Sequence, residues 1–121
     1  MDQKAFHMTL LFDFYGDLLT DRQKEFYDLY HNEDLSLAEI AENAGITRQG
    51  VRDVLVRAEA TLKELEAKTG LIQRFLNVRA GLNIIETAAA GISDLNSGVL
   101  NSTELANLVK TIQETVTTLK E

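Results

Sequence analysis

The chain has 121 residues, 45 % apolar and 26 % charged, with neither cysteine nor proline. A chain this long buries a core without disulfides or metals, the missing cysteine excludes a disulfide framework and a thiolate metal site, and no apolar run approaches the roughly 18 residues of a membrane span. The formal charge of −7 lies wholly in residues 1–46, which hold ten acids and three bases, whereas residues 47–121 hold nine of each.

A solvated acidic face is the ordinary meaning of that asymmetry. Its functional alternative is a surface that meets a basic protein or a basic RNA–protein particle. The segment MTLLFDFYGDLL is interrupted by Asp13 and Asp17 and has no basic lead-in, so it does not read as a signal peptide. A cytoplasmic location is the default expectation.

Helical periodicity runs through the chain, and no stretch shows sustained two-residue alternation between hairpin turns. The expected class is therefore all-α. His7, Met8, Leu11, Phe14, Tyr15 and Leu18 follow at steps of one, three and four and mark one face of a first helix. Thr20 and Gln23 form a capping box for a helix over 21–31 with Phe26, Leu29 and Tyr30 inward. Asn32, Glu33 and Asp34 make a polar turn. Ser36 and Glu39 form a second capping box, opening a short helix to about Ala44, and Gly45 suits the left-handed position past its end. Thr47 caps the next helix, which runs to about Lys68 and stops at Thr69-Gly70. A fifth helix, Leu71 to about Ala90, is expected to bury Leu71, Phe75, Val78, Leu82, Ile85 and Ala89. The stretch GISDLNSGVLN at 91–101 reads as a loop, and Asn101 with Glu104 caps a last helix to the C-terminus.

The run LSLAEIAENAGITRQGVRDVL, 35–55, has the spacing of a helix-turn-helix. Two helices crossing steeply over a short turn need a small residue at the approach, which is Ala41. They need a positive-φ residue in the turn, which is Gly45. Leu37, Ile40, Ala44, Ile46, Val51 and Val54 hold the pair together. Arg48, Gln49, Arg52, Asp53 and Val56 form the outward stripe of the second helix. Arginine can fork onto guanine and glutamine can pair with adenine, and the helix start at Thr47 aims amides and a positive dipole at a phosphate. The candidate nucleic-acid-binding residues are Thr47, Arg48, Gln49, Arg52 and Arg57; the motif-packing residues are Ala41, Gly45 and Val51. Charge argues the other way. Residues 36–57 hold three bases and three acids, which leaves little affinity from counterion release. Gly50, in the first turn of the recognition helix, costs about 1 kcal/mol relative to alanine. It either lets a partner backbone approach or is tolerated in a long, well-packed helix.

The stretch from Leu18 to Glu66 resembles the fourth region of bacterial sigma factors, in which an L-T-x-x-Q opening precedes the helix-turn-helix. The longer stretch 11–71, with its aromatic lead-in LFDFYGDLLT, resembles the YlxM-like proteins of Gram-positive bacteria, small all-helical DNA-binding proteins. That resemblance implies a link to the signal recognition particle pathway and a regulatory or accessory role. It brings no enzymatic activity. The tail from about Thr87 matches less well.

No nucleophile and base can be paired: there is no cysteine, and the two histidines lie in different segments. His7 reads as a packed or partly exposed side chain, and His31 as a helix-end residue suited to the dipole. No His/Asp/Glu cluster has metal-ligand spacing, and the Walker pattern is absent. Phe6, Phe12, Phe14, Tyr15, Phe26, Tyr27 and Tyr30 follow helical periodicity without interleaved bases, as core aromatics do, rather than as a base-stacking platform. No cofactor is expected.

The expected organisation is a helix-turn-helix head at 1–69 and a C-terminal helical extension at 70–121 serving oligomerisation. In the last helix Leu105, Val109, Ile112, Val116 and Leu119 are spaced 4, 3, 4, 3, a coiled-coil-like seam. Leu71, Phe75, Val78, Leu82 and Ile85 repeat the spacing. A homodimer is expected; packing of the two helices on each other and on the head within one chain is the alternative. The expected function is a DNA-binding regulator, with RNA as a second ligand, taking part in the signal recognition particle pathway. The alternative is a protein-interaction accessory of that particle that binds no DNA.

Overall fold

The computed structural model describes residues 3–121 and is all-α. Six α-helices follow in order among the described residues: α1 (Gln3–Tyr15), α2 (Asp21–His31), α3 (Leu37–Ala44), α4 (Arg48–Thr69), α5 (Leu71–Leu95) and α6 (Thr103–Lys120). The chain divides into two compact units, one ending at Ile72 and the other running from Gln73 to Glu121.

In the first unit α4 is the spine, with α1, α2 and α3 all packed on it. Its buried residues Val51, Leu55, Ala58 and Leu62 recur at steps of four, three and four, which keeps one face of a helix turned inward. Against them lie Met8 and Leu11 from α1, Phe26 and Tyr27 from α2, and Ile40 from α3. Both capping boxes form as the sequence predicts. Thr20 and Ser36 each accept from the backbone three residues on, while Gln23 and Glu39 reach back to the cap amides. These groups would otherwise be unsatisfied at the helix start.

The inward face of α2 differs from its sequence reading: Tyr27 is fully buried and Tyr30 is exposed. The reason lies in α1. Tyr27 stacks on Phe12 with ring centroids 5.0 Å apart, and its hydroxyl donates to the Met8 carbonyl at 2.8 Å. A buried phenol with its donor satisfied gives its ring to the core at little polar cost. Phe6 and Phe14 are also exposed, so the aromatic residues are core only in part.

The second unit is an antiparallel hairpin of α5 and α6. Leu82 and Ala89 from α5 face Val109 and Val116 from α6. Residues 91–101 are not the expected loop. α5 continues to Leu95, the wider turns of a π-helix run from Asn96 to Leu100, and only Asn101 (φ 49°) and Ser102 turn the chain. Asn96 explains this. Its buried side chain donates to the Ser102 carbonyl at 2.9 Å and accepts from the Ser102 amide at 2.7 Å. That clamp places the turn five residues beyond Asn96 and overrides the weak helix propensity of Gly91 and Gly98. Ser102, not Asn101, caps α6, accepting from Leu105 N.

Candidate nucleic-acid interface

The helix-turn-helix is built from α3, the turn Gly45–Ile46–Thr47, and the start of α4. Gly45 sits at φ +71°, where a side chain is strained. Its amide and that of Ile46 both reach the Ala41 carbonyl, Ile46 at 3.1 Å. Ala41 is buried, as is Val51 below it. The turn therefore closes α3 and starts α4 within three residues.

Thr47 caps α4 by accepting from the Gly50 amide at 3.0 Å. A β-carbon on Gly50 would stand 3.3 Å from that hydroxyl and 3.4 Å from Ile46 Cδ1. The glycine thus serves the chain's own cap, by letting Thr47 and Ile46 close onto the first turn. This contact is a third role for Gly50, beside approach of a partner backbone and tolerance in a well-packed helix.

Arg48, Gln49 and Arg52 are exposed and, with Thr47, line one wall of an open groove of about 630 Å³. Its other wall is Ser36, Leu37 and Ala38, the start of α3. In the sequence this second wall is signalled only by the Ser36 capping box, which places a second helix start beside the turn. Two helix N-termini therefore border the groove, each with a partial positive charge. Arg57 is exposed but lies outside the groove, nine residues or about two and a half helical turns from Arg48. Gln49 donates from Nε2 to Asp53 Oδ1 at 2.9 Å, so its amide is already engaged on the stripe.

A second hollow of about 390 Å³ shares Arg52 and is lined also by Lys4, Tyr30, His31 and Glu59. His31 packs against Tyr27 and Tyr30, with centroids 4.2 and 5.1 Å away. Burial pushes His31 below the usual imidazole range, Glu59 pulling it up and Lys4 further down. His31 thus combines ring packing with its place in the last turn of α2. His7 is exposed on α1. Among the described residues no His, Asp and Glu side chains converge as a metal site would need, and no helix is long and apolar enough to cross a membrane.

A short helix and a long one, joined over a left-handed glycine, with a polar stripe on the second beside a groove, define a helix-turn-helix protein. The chain belongs to the UPF0122 family, "Putative helix-turn-helix protein, YlxM / p13 like", whose pattern matches residues 2–97. It is similar to a UPF0122 protein of Acetivibrio thermocellus, 41 % identical over 119 residues that cover 98 % of this chain and 97 % of the relative. A UPF0122 protein of Thermoanaerobacter sp. is 48 % identical over 86 residues, 71 % of this chain and 74 % of the relative. One from Desulforamulus reducens is 56 % identical over 73 residues, 60 % of this chain and 62 % of the relative. The chain thus spans just over three-fifths of the Desulforamulus protein, and α6 lies beyond the part matched by the family pattern.

Proposed function

We propose that this protein binds nucleic acid, DNA in the first place and RNA in the second, through the start of α4. Thr47 and the free amides beside it receive a phosphate. Arg48 and Arg52 reach base edges or phosphates from the groove, Gln49 exchanges Asp53 for an adenine edge, and Arg57 meets backbone at the flank. The observation that carries this reading is the groove itself, which brings Thr47, Arg48, Gln49 and Arg52 together on one solvent-facing wall. The role is regulatory, in the cytoplasm and without catalysis. Two copies acting together suit it, since paired recognition helices read two half-sites about one helical turn apart.

Fluorescence anisotropy with short labelled duplexes, titrated across salt, tests the reading. Each neutralised phosphate contributes a slope of about −0.9 in log affinity against log salt. Three arginines therefore set a shallow slope, about −3 per head at most. Arg48→Ala and Arg52→Ala should each lose roughly 1–3 kcal/mol of binding while keeping the parent's melting temperature. A parent that binds no duplex or RNA hairpin at low salt overturns the proposal.

A second reading rests on the acidic first half. Asp17, Asp21, Glu25, Glu33, Glu39 and Glu42 are all exposed, and such a surface suits a basic protein partner within the signal recognition particle. Capture of the particle's protein from native cytoplasm, unaffected by nuclease, favours this accessory role.

A further inference from the structure

The α5–α6 hairpin has one polar side and one apolar side, and the sequence hides this because both helices read as single apolar stripes. The buried seam runs through Leu82 and Ala89 on α5 and Val109 and Val116 on α6, and it ends at buried Asn96 and half-buried Ser102 in the connection between them. Hydrogen bonds at both ends set the register: Asn96 with Ser102, and Arg79 Nη1 to the Lys120 carbonyl at 3.1 Å. Ile85 follows Leu82 by three residues and precedes Ala89 by four; Ile112 stands in the same way to Val109 and Val116. Two right-handed helices running in opposite directions carry equal offsets from a shared seam to the same side. Val78, Ile85 and Ile92 therefore share one side with Leu105, Ile112 and Leu119.

Residues at the reverse offset, Arg79 and Glu86 on α5 and Gln113 and Lys120 on α6, fall on the other side. Lys120 there meets Asn83 at 2.8 Å and Glu86 at 3.4 Å. The apolar side remains in water: Val78 is 52 % exposed, Ile85 47 %, Ile112 38 % and Leu119 64 %. Its flanking positions Gly81, Ala88, Leu95, Leu108 and Thr115 carry no charge.

We propose that a second copy of this chain covers that side, hairpin on hairpin, to form a four-helix bundle. Three observations select a second copy over another protein. The side is free of charge, which suits a two-fold interface, where residues on the axis meet their own copies and like charges would repel; it offers no charge for a dissimilar partner to complement. The hairpin buries only Leu82, Ala89, Val109 and Val116 as apolar core, too little for a 49-residue unit to stand alone without assembly, and a second copy is always present in equal amount. Finally, α6 has 18 residues, so the side is about 27 Å long and two helices wide, roughly 500 Å² in projection. That matches the largest apolar patch a monomer ordinarily leaves in water and, as rugged accessible surface, approaches the roughly 800 Å² each partner gives a standard interface. The inference is independent of nucleic-acid binding.

Sedimentation equilibrium of the full chain tests it. The parent should have twice the 13.5 kDa chain mass at micromolar concentration. Ile85→Glu should sediment as a monomer with its helical circular dichroism retained. Ile84→Glu should stay dimeric, because Ile84, though 72 % exposed, lies on the outer face of α5 away from the apolar side. If Ile85→Glu does not fold, the milder Ile112→Gln should weaken the dimer at least tenfold. A parent that is monomeric at millimolar concentration overturns the proposal, whatever the variants do. So does an Ile84→Glu chain that dissociates as readily as Ile85→Glu.

Discussion

Gln49 and Asp53, one turn apart on the exposed face of α4, are joined by a 2.9 Å hydrogen bond from amide to carboxylate. The bond places an acid in the middle of the stripe that would meet nucleic acid and occupies the donor that would read an adenine. Binding must break it. Asp53→Ala should therefore tighten duplex binding several-fold, since one unit charge about 4 Å from a phosphate is worth about 1 kcal/mol in water. The lost surface pair should lower stability by only about 0.2–0.5 kcal/mol. Anisotropy titrations of parent and variant at one salt concentration check the sign; unchanged or weaker binding would remove this stripe from the interface.

Ala41→Leu should destabilise the helix-turn-helix. Ala41 is buried and its carbonyl receives the turn amides of Gly45 and Ile46, so a larger side chain must push α3 off its neighbours. Overpacking of this kind costs roughly 1–3 kcal/mol. Urea unfolding followed by circular dichroism measures it, and an unchanged midpoint would show that the crossing has room.

Glu66 joins the end of α1 to the start of α5. It accepts the Tyr15 hydroxyl at 2.6 Å and the Ile72 amide at 2.9 Å. Glu66→Ala leaves the Ile72 amide without its acceptor and the Tyr15 hydroxyl with Thr69 Oγ1, 2.5 Å away, as its remaining partner, and should cost roughly 1–3 kcal/mol. Glu66→Gln keeps an acceptor oxygen and should cost less. Thermal melts of the two variants should rank in that order, and the reverse order would mean the carboxylate carries no structural role.

His31 makes the stability of the first unit depend on pH. Its folded pKa lies below the ordinary imidazole value of 6.5, so between the two values the unfolded chain binds more protons than the folded one. Stability is then fully present above 6.5 and is lost as pH falls through the folded value. His31→Gln should flatten the difference in melting temperature between pH 7.5 and about 5.5, a window above the ordinary carboxylate range. A variant as pH-sensitive as the parent would assign the effect to other groups.

Local order in the sequence set the starts of α2, α3 and α4. Thr20–Gln23, Ser36–Glu39, Thr47 and Gly45 work through hydrogen bonds and backbone angles three or four residues long, so their geometry follows from local order alone. The all-α class and the helix-turn-helix followed from the same local signals. Which flank of each stripe is buried did not. A row spaced three and four on α5 contains Leu82 and Ala89, which are covered, beside Val78 and Ile85, which are not; spacing cannot choose between neighbours some 50° apart around a helix until α6 is in place. The position of the turn between α5 and α6 was likewise decided across the chain, by Asn96 bonding to Ser102. Tyr27 displaced Tyr30 from the core because Phe12 and the Met8 carbonyl, on another helix, accept its ring and its hydroxyl. The groove beside Arg48 and Arg52 has the start of α3 as its second wall. Local hydrogen bonds are written in consecutive residues, whereas the choice of face is made by the partner helix, whose position exists only once the chain has packed.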